Sequence, residues 1–463
     1  MQNLDGTVVA TALPAMAQAF GSDPLHMNVA LTSYLLSLAV FIPVSGWMAD
    51  RHGAKMVFAS AIAVFTVGSV LCGLSNGLAT LVAARIVQGA GGAMMVPVGR
   101  LVLLRSVAKV ELVAAMAWLT VPALIGPVVG PPLGGFLVTY ANWRWIFYVN
   151  VPIGFLGIAL VWRFVPDVRE PSPGRLDRSG LVLSGLALAC LMSAAETAGR
   201  GMLAPVYVVA LAGAGVLAAG GYWWHARHTV APLLDLGLLR IPTFMASVGA
   251  GSLFRVGVGA IPFLLPLMLQ LGFGMSPVQS GLVTFASAVG AIAMKPAAQY
   301  ALRTFGFRRT LGWNGALGAV LLGTMGLFRP AWPLALIYGV LVAGGFLRSL
   351  QFTAFNTIAY ADIPRERMSA ATSLYSTLQQ LSLTLGITVG AAALEMARSV
   401  SGRVVPTLGD FSVAFGVVAV FSLLASPLSF RLAEDAGTEM SGRKVAVMPG
   451  RVVSEAVSDE AGS

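Results

Sequence analysis

Long apolar runs recur along this chain from its first residues to about residue 431. Thirteen of them are full-length windows, at residues 29–49, 56–75, 78–103, 112–139, 146–165, 180–198, 204–224, 243–270, 278–302, 310–328, 332–358, 369–397 and 410–430. A shorter run covers residues 1–20. Because about 20 apolar residues suffice for a helix to cross a bilayer, the pattern predicts an all-α polytopic membrane protein. The pattern predicts about 14 transmembrane helices, of which the first has fewer residues than a full span needs.

The composition agrees with a membrane protein. Hydrophobic residues make up 57% of the chain and charged residues 10%, whereas soluble domains carry about 25% charged residues. The two cysteines, Cys72 and Cys190, lie in separate apolar windows without CxxC spacing. This arrangement indicates neither a disulfide framework nor a metal site.

The net charge of +10 would suit a nucleic-acid partner, but the placement of the basic residues argues against one. Most of them lie in alternate loops and in the tail, beginning with Arg51, Lys55, Arg100, Arg105 and Lys109. Cytoplasmic loops of membrane proteins carry such an excess of Lys and Arg. We therefore place these loops, and both termini of the full-length protein, in the cytoplasm.

A Pro-rich, mixed-charge stretch at residues 167–179 divides the windows into two groups. We expect residues 1–166 to form an N-terminal six-helix bundle and 167–179 a cytoplasmic linker. Residues 180–224 then form two inserted transmembrane helices, 225–242 a cytoplasmic loop and 243–431 a C-terminal six-helix bundle. Residues 432–463 are polar and poor in large apolar side chains, so we expect a disordered cytoplasmic tail.

A charged turn follows the window at 29–49. The segment from Gly46 to Lys55 has the form Gly-x-x-x-Asp-Arg-x-Gly-x-Lys, and the positions of this motif are Gly46, Asp50, Arg51, Gly53 and Lys55. Its glycines suit a tight turn, and the carboxylate at a helix end suits a basic partner or the N-terminus of a neighbouring helix. An ordinary topology-fixing turn is the simpler alternative.

A glycine and proline repeat occupies the window at 112–139. Its residues are Gly126, Pro127, Gly130, Pro131, Gly134 and Gly135. Glycines four residues apart form a bare stripe that lets a neighbouring helix approach closely, and the prolines interrupt the backbone ladder beside it. A tight packing seam alone would explain an isolated stripe. The interleaved prolines favour a conformational role.

These two segments resemble the loop between helices two and three and the fifth-helix antiporter signature of exporters in the major facilitator superfamily. Leu81–Gly92 is similar to that superfamily's fourth-helix motif. Leu4–Pro14 and Asn142–Pro152 resemble the first helix and an outer loop of the fourteen-helix drug:proton antiporters. Pro262–Gln270 and Gln379–Gly386 make the chain look most like the MdtD-type exporters of this EmrB/QacA-like family. The resemblance implies the major facilitator fold, with two pseudo-repeated six-helix bundles and two inserted helices.

The resemblance also implies a function. It points to a proton-coupled efflux transporter that exports amphipathic small molecules or drugs by alternating access from the bacterial inner membrane. A dedicated exporter of a metabolite or siderophore is the alternative, and a proton-coupled importer is less favoured. The implied partners are a small-molecule substrate, protons and the lipid bilayer, with no cofactor. The resemblance suggests a monomer and leaves open a periplasmic adaptor and an outer-membrane channel.

Enzymatic function is disfavoured. The four histidines, His26, His52, His225 and His228, form no metal spacing and join no carboxylate pair. A Walker-type phosphate-binding segment is also absent from the sequence, which argues against a built-in ATPase.

Buried acids are the candidates for proton coupling. Asp5 lies in the first span, and Arg85 lies roughly 10 Å deep in the window at 78–103. A carboxylate that gains and loses an arginine partner between two states can take up and release a proton. We expect Asp5 and Arg85 to form this pair. Glu196 and Glu395 are further candidates, although their positions equally suit helix ends exposed to water.

Polar and aromatic residues inside the spans are candidates for a substrate cavity. Arg255 lies near mid-membrane, and Arg348 is followed by a polar and aromatic stretch. The expected cavity residues are Gln88, Arg255, Arg348, Gln351, Phe352, Phe355 and Asn356.

The first span is short in front of Asp5. A spanning helix needs about twenty residues, and the family carries further apolar residues before this position. We expect that the true start of the protein lies upstream of Met1 or that a chain beginning at Met1 inserts poorly into the membrane.

Overall fold

The computed structural model describes residues 1–21, 24–119, 121–167, 174–197, 204–403 and 405–443, and the regular elements in these ranges are helices. In these ranges the helices form ten segments, some of them made of two consecutive helices, that are long and apolar enough to cross a membrane, or up to eleven if a bent pair is counted as one span. The predicted all-α fold is confirmed.

The helices fall into an N-half, an inserted pair and a C-half. The N-half contains α1 (Gln2–Phe20), α2 (Pro24–Phe41), α3 (Ser45–His52), α4 (Ala54–Leu74), α5 (Leu78–Ser106), α6 (Leu112–Leu119), α7 (Val121–Tyr140), α8 (Trp145–Tyr148) and α9 (Asn150–Phe164). The inserted pair is α10 (Arg178–Thr197) and α11 (Pro205–His228). The C-half contains α12 (Pro242–Gly259), α13 (Ile261–Phe273), α14 (Pro277–Ala293), α15 (Ala297–Arg309), α16 (Gly315–Met325), α17 (Leu334–Ile358), α18 (Met368–Ser401) and α19 (Leu408–Ser429), and the short α20 (Thr438–Ser441) follows.

Small residues set the helix packing in the N-half. A Cβ on Gly68 of α4 would lie 2.6 Å from the backbone of Gln88 on α5, so these two helices touch backbone to backbone. Helix α7 packs against α1 and, across the halves, against α14. Gly126, Gly130 and Gly134 of the predicted stripe are buried. The stripe therefore lies in the packed interior, as close helix approach requires.

Two positions of the glycine and proline repeat differ from the rest. Gly135 is exposed, and a Cβ there would meet no atom within 4 Å. The side chains of Pro127 and Pro131 lie outside the described part of the structure.

The closest helix contact in the C-half joins α14 and α17. A Cβ on Gly290 would lie 1.9 Å from the carbonyl oxygen of Val342, and one on Gly345 would lie 1.9 Å from that of Ser287. Each carbonyl belongs to the backbone of a helix and cannot move away without distorting that helix. The two glycines are therefore required for this packing.

We expect Gly345→Ala to lower the thermal stability of the detergent-purified protein by about 1–3 kcal/mol, because the new methyl group overpacks a rigid contact. Gly339→Ala on the same helix is the matched control, since a Cβ at Gly339 meets nothing within 4 Å. It should be neutral or slightly stabilising. Equal melting temperatures for the two variants would contradict this packing.

The predicted window at 278–302 is broken, which corrects its boundaries. Helix α14 ends at Ala293 and α15 begins after Pro296. The segment from Val278 to Ala293 meets the segment from Ala297 to Met325 at 71°. Proline lacks the amide hydrogen that continues a helix, and hydropathy alone does not register this.

A glycine with positive φ precedes α4 in the N-half, and another precedes α16 in the C-half. Gly53 between α3 and α4 has φ 87°, and Gly306 inside α15 has φ 74°. Residues with a Cβ rarely adopt such angles, so glycine is required at both places. The shared geometry agrees with the pseudo-repeat of the two bundles that the resemblance implies.

The first part of the expected tail is ordered, which corrects the prediction of disorder from residue 432. Leu432 and Met440 are buried and belong to the same hydrophobic cluster as Ile358 and Phe307. Lys109 of the N-half donates to Glu439 at 2.7 Å, and this hydrogen bond together with its charge lowers the pKa of Glu439. A few apolar residues anchor the segment. Because residues 432–463 are mostly polar, their overall composition did not indicate that these few residues are buried. Residues 444–463 lie outside the described ranges.

Candidate functional site

A buried polar network lies inside the N-half around Asp5. Its carboxylate Oδ2 is 2.5 Å from Nη1 of Arg85, and its Oδ1 accepts from Nε2 of Gln88 at 2.9 Å. Asp5, Arg85 and Gln88 are each at most 1% exposed. The structure thus brings the sequence-predicted acid and base together, away from solvent.

Further contacts fix the arginine in place. Nε of Arg85 donates to the carbonyl oxygen of Ala30 at 3.0 Å, and Nη1 also donates to Oε1 of Gln88 at 2.7 Å. The guanidinium carbon lies 4.3 Å from the ring centre of Tyr34. A planar cation held by a carboxylate, an amide, a carbonyl and an aromatic face has little freedom of orientation.

Three members of the network were missed by sequence reasoning. Asn150 donates from Nδ2 to Asp5 at 3.4 Å and to Ser69 at 3.1 Å, and Tyr34 packs on Arg85. The available signal was weak. Each is a polar or amphipathic residue at an inward position of an apolar window, and only the packed bundle shows which of these positions face Asp5. Gln88, assigned to the substrate cavity from sequence, lies in this same network.

Asp50 lies at the contact between the two halves. Its carboxylate accepts from Arg105 of α5 at 3.1 Å and from the hydroxyl of Ser369 at the start of α18. Beside it, the amide of Gly46 donates to the hydroxyl of Ser373 at 2.8 Å. Asp50 therefore has both kinds of partner that the motif suggested, a basic group and a neighbouring helix start.

We call the end of the bundle that carries this contact the Asp50 end. Gly46 is required there, because a Cβ would lie 2.6 Å from the carbonyl oxygen of Ser369. Arg51 is exposed, and Nζ of Lys55 lies 5.4 Å from the ring centre of Trp162. The halves are closed against each other at this end of the structure.

A second buried cluster joins the halves near the same end. Arg100 was assigned to a loop from sequence, but it lies within α5 and is 4% exposed. It donates to Tyr360, Ser376 and Gln379 of the C-half at 3.2–3.5 Å. The assignment was wrong because a positive charge near the end of an apolar window resembles a loop residue, whereas here the other half supplies its acceptors.

Arg255 belongs to this cluster as well. Its Nη2 donates to the hydroxyl of Tyr375, and its guanidinium carbon lies 4.8 Å from the centre of that ring. The guanidinium carbon of Arg100 lies 5.3 Å from the same ring. Ser247 reaches the Tyr375 hydroxyl at 3.3 Å. Two buried cations thus share one tyrosine, and Tyr375 was not anticipated from the sequence.

The remaining cavity candidates lie inside the C-half. Arg348 and Gln351 line a cavity of about 20 Å³, which is room for about one water molecule. Phe352 and Phe355 pack on Phe254, with ring centres 5.1 and 5.9 Å from it. Asn356 is buried on the same helix. In this conformation these residues do not form one large cavity.

Glu395, one of the two other candidate acids, lies apart from the network around Asp5. Glu395 pairs with Arg398 one turn along α18, and its side chain is 52% exposed. The side chain of Glu196 lies outside the described part of the structure, although its backbone belongs to α10. Among the described residues, no group of three His, Cys, Asp or Glu could hold a metal ion.

The sequence also matches a known family. The family model described as Major Facilitator Superfamily matches residues 1–387 and again residues 248–446. The chain belongs to the major facilitator superfamily. It is a multi-pass membrane protein of a transporter family.

Bacterial relatives within the superfamily carry a more specific description. The chain is 41% identical over 397 residues to a "Putative multidrug resistance protein MdtD" of Serratia proteamaculans, covering 84% of this chain and 81% of the relative. It is 38% identical over 446 residues to the protein of that name from Yersinia enterocolitica, covering 95% and 94%.

Solved structures of the superfamily share the fold. The human organic anion transporter MFSD10 superposes with a TM-score of 0.65 at 16% identity, covering 92% of this chain and 96% of that one. The proton:xylose symporter XylE, in a complex with 6-bromo-6-deoxy-D-glucose, gives 0.65 at 15% identity and covers 95% of both chains. At these identities the likeness shows the fold alone.

Proposed function

We propose that this chain is a proton-coupled exporter of amphipathic small molecules that works by alternating access. Asp5 carries the coupling proton, and Arg85 is the partner that it gains and loses between the two states. The relatives are named multidrug resistance proteins, and a dedicated exporter of a metabolite or siderophore remains the alternative.

The observation that carries the proposal is the buried network around Asp5. An ion pair removed from water is costly unless its geometry and its additional hydrogen bonds compensate. Such pairs inside membrane spans mark ion pathways and proton relays. Since Asp5, Arg85 and Gln88 come from α1 and α5, a small relative movement of these helices would separate the acid from its base.

The contacts at the Asp50 end support alternating access. The ion pair of Asp50 with Arg105 lies within the N-half, and two hydrogen bonds, from the hydroxyl of Ser369 to Asp50 and from the amide of Gly46 to Ser373, join α3 to α18 across the halves. Breaking them would open this end while each half stays intact, as rocking of one bundle against the other requires. By the distribution of basic loops, the Asp50 end faces the cytoplasm.

The other candidate residues take part in this proposal as follows. Arg255, Arg348, Gln351, Phe352, Phe355 and Asn356 contribute to the substrate path after the halves rearrange, and Glu196 and Glu395 are secondary candidates for the proton site. We expect a monomer in the inner membrane. Co-purification from membranes would test for a periplasmic adaptor and an outer-membrane channel as further partners.

The test is transport in inverted membrane vesicles that contain the protein and hold an acidic interior. A compound exported by the chain should dissipate the pH gradient when it is added, and vesicles without the protein should not respond. Loss of function in cells should raise susceptibility to the same compound. Accumulation of the compound without any proton movement would contradict proton coupling.

A further inference from the structure

The buried charges of the described residues are unbalanced. Among the described residues, Arg85 has Asp5 as its carboxylate partner, whereas Arg100 and Arg255 are 4% and 1% exposed and have neutral partners. The acceptors of Arg100 are two hydroxyls and an amide, and the acceptor of Arg255 is a phenol. In the described part of the chain, no carboxylate lies within ion-pair distance of either guanidinium.

Both guanidiniums also retain unused donors. Nε of Arg100 and Nε of Arg255 have no hydrogen-bond partner among the described residues. A buried cation without a counter-charge is unfavourable, and a buried donor without an acceptor adds to that cost. An anion with several oxygens would supply the counter-charge and the missing hydrogen-bond acceptors at once, since the guanidinium fork matches carboxylates, sulfonates and phosphates.

The surroundings indicate what the rest of such a ligand would be. Both guanidiniums lie near the ring of Tyr375, and the rings of Phe244 and Tyr360 lie 6.2 and 5.6 Å from it, centre to centre. Aromatic faces favour an apolar or aromatic body beside the charge. The site therefore suits an amphipathic anion better than a small inorganic ion.

The site is divided between the halves. Arg100 belongs to the N-half, and its three acceptors belong to the C-half together with Arg255 and Tyr375. In the closed conformation these acceptors occupy the donors of Arg100. Separation of the halves at the Asp50 end would take all three acceptors from Arg100 at once and would make both cations accessible from that side.

We propose that Arg100 and Arg255 bind the anionic group of the substrate when the Asp50 end opens, so that the chain exports amphipathic anions in preference to cations. This inference rests on the proposed export function and adds the substrate class. Anion binding and closure of the Asp50 end then oppose each other. Closure restores the hydrogen-bond acceptors of Arg100 and displaces the anion.

The test uses two probes of matched shape and opposite permanent charge, naphthalene-1-sulfonate and (1-naphthylmethyl)trimethylammonium. Their binding to the purified full-length protein is measured by equilibrium dialysis. We expect the sulfonate to bind at least about tenfold more tightly than the ammonium probe. Arg255→Gln and Arg100→Gln should each weaken sulfonate binding about tenfold or more, and Arg255→Lys should recover only part of it.

A control variant removes the same charge elsewhere. Arg303 on α15 is exposed, and Arg303→Gln should leave sulfonate binding unchanged. Melting temperature and elution profile identify any variant that fails to fold, and the conservative Arg255→Lys then carries the comparison. Equal binding of the two probes by the wild type, no binding of the sulfonate, or wild-type affinity in both glutamine variants would overturn the inference.

The vesicle assay separates this inference from the proposed function. If only the ammonium probe dissipates the pH gradient, proton-coupled export stands and the preference for anions is wrong. If the sulfonate binds through Arg255 without moving protons, the anion site stands and proton coupling is wrong. Dissipation by the sulfonate that is lost in Arg255→Gln and in Asp5→Asn supports both.

Discussion

Asp5→Asn should eliminate proton-driven efflux while substrate binding remains measurable. Asparagine keeps the shape of the side chain and its contact with Gln88, but it cannot exchange a proton at this position. In inverted vesicles that contain this variant, addition of substrate should then leave the pH gradient unchanged. Counterflow of substrate between equal proton concentrations should persist, because it does not require a net proton movement.

The variant also leaves Arg85 as a buried charge without its carboxylate. Removing one partner of a buried pair costs about 3–5 kcal/mol, so lost activity could reflect lost folding. The double variant Asp5→Asn, Arg85→Gln removes both charges, and it should recover stability without recovering proton coupling.

A carboxylate at another place provides the matched control. Asp410 is 5% exposed and accepts from the amide of Thr407 at 2.7 Å at the start of α19. Asp410→Asn should lower stability and keep proton coupling. If Asp5→Asn vesicles still dissipate the gradient at the wild-type rate, the proton is carried elsewhere, with Glu196 and Glu395 as the next candidates.

Asp50→Asn should slow transport at least about tenfold and change substrate affinity by no more than a few-fold. The carboxylate holds Arg105 and the hydroxyl of Ser369 on opposite sides of the boundary between the halves. Hydrogen bonds to a charged group contribute about 1.5–3 kcal/mol each. Losing that charge therefore shifts the equilibrium between open and closed forms without touching the substrate path.

The comparison for Asp50 is Glu434→Gln at the same end. Glu434 pairs with Arg308 at 3.3 Å, and its side chain is 74% exposed. An exposed pair of this kind contributes about 0–1 kcal/mol, so transport should stay at the wild-type rate. Rates are measured in vesicles, and affinities by equilibrium dialysis on purified protein. An equal loss of binding and transport in Asp50→Asn would contradict a purely conformational role.

Much of this molecule follows from local sequence. The apolar windows give the helices because backbone groups in lipid must be satisfied within each segment. The Asp5 and Arg85 pairing follows from the cost of a lone charge inside a span. Gly53 was found because a motif with fixed spacing marks a turn that only glycine allows. Gly46 was expected in the same turn, but it lies within α3, where the close approach of Ser369 requires a glycine.

The rest depends on contacts between distant segments. Arg100 was assigned to a loop because its acceptors, Tyr360, Ser376 and Gln379, lie in the other half and more than two hundred residues away. Tyr375 has no local signature, since an aromatic residue in an apolar span usually packs against its neighbours. The ordered segment around Met440 was missed because two apolar anchors are hidden in a polar tail.

The most direct measurement of the central claim is proton release on substrate binding. Purified protein in a weakly buffered solution is titrated with a transported compound while the pH is followed. If protonation of Asp5 and substrate binding favour opposite conformations, linkage requires that binding releases protons from the wild type. The account predicts release that disappears in Asp5→Asn and persists in Asp410→Asn. Binding without proton release, or equal release from wild type and Asp5→Asn, would contradict it.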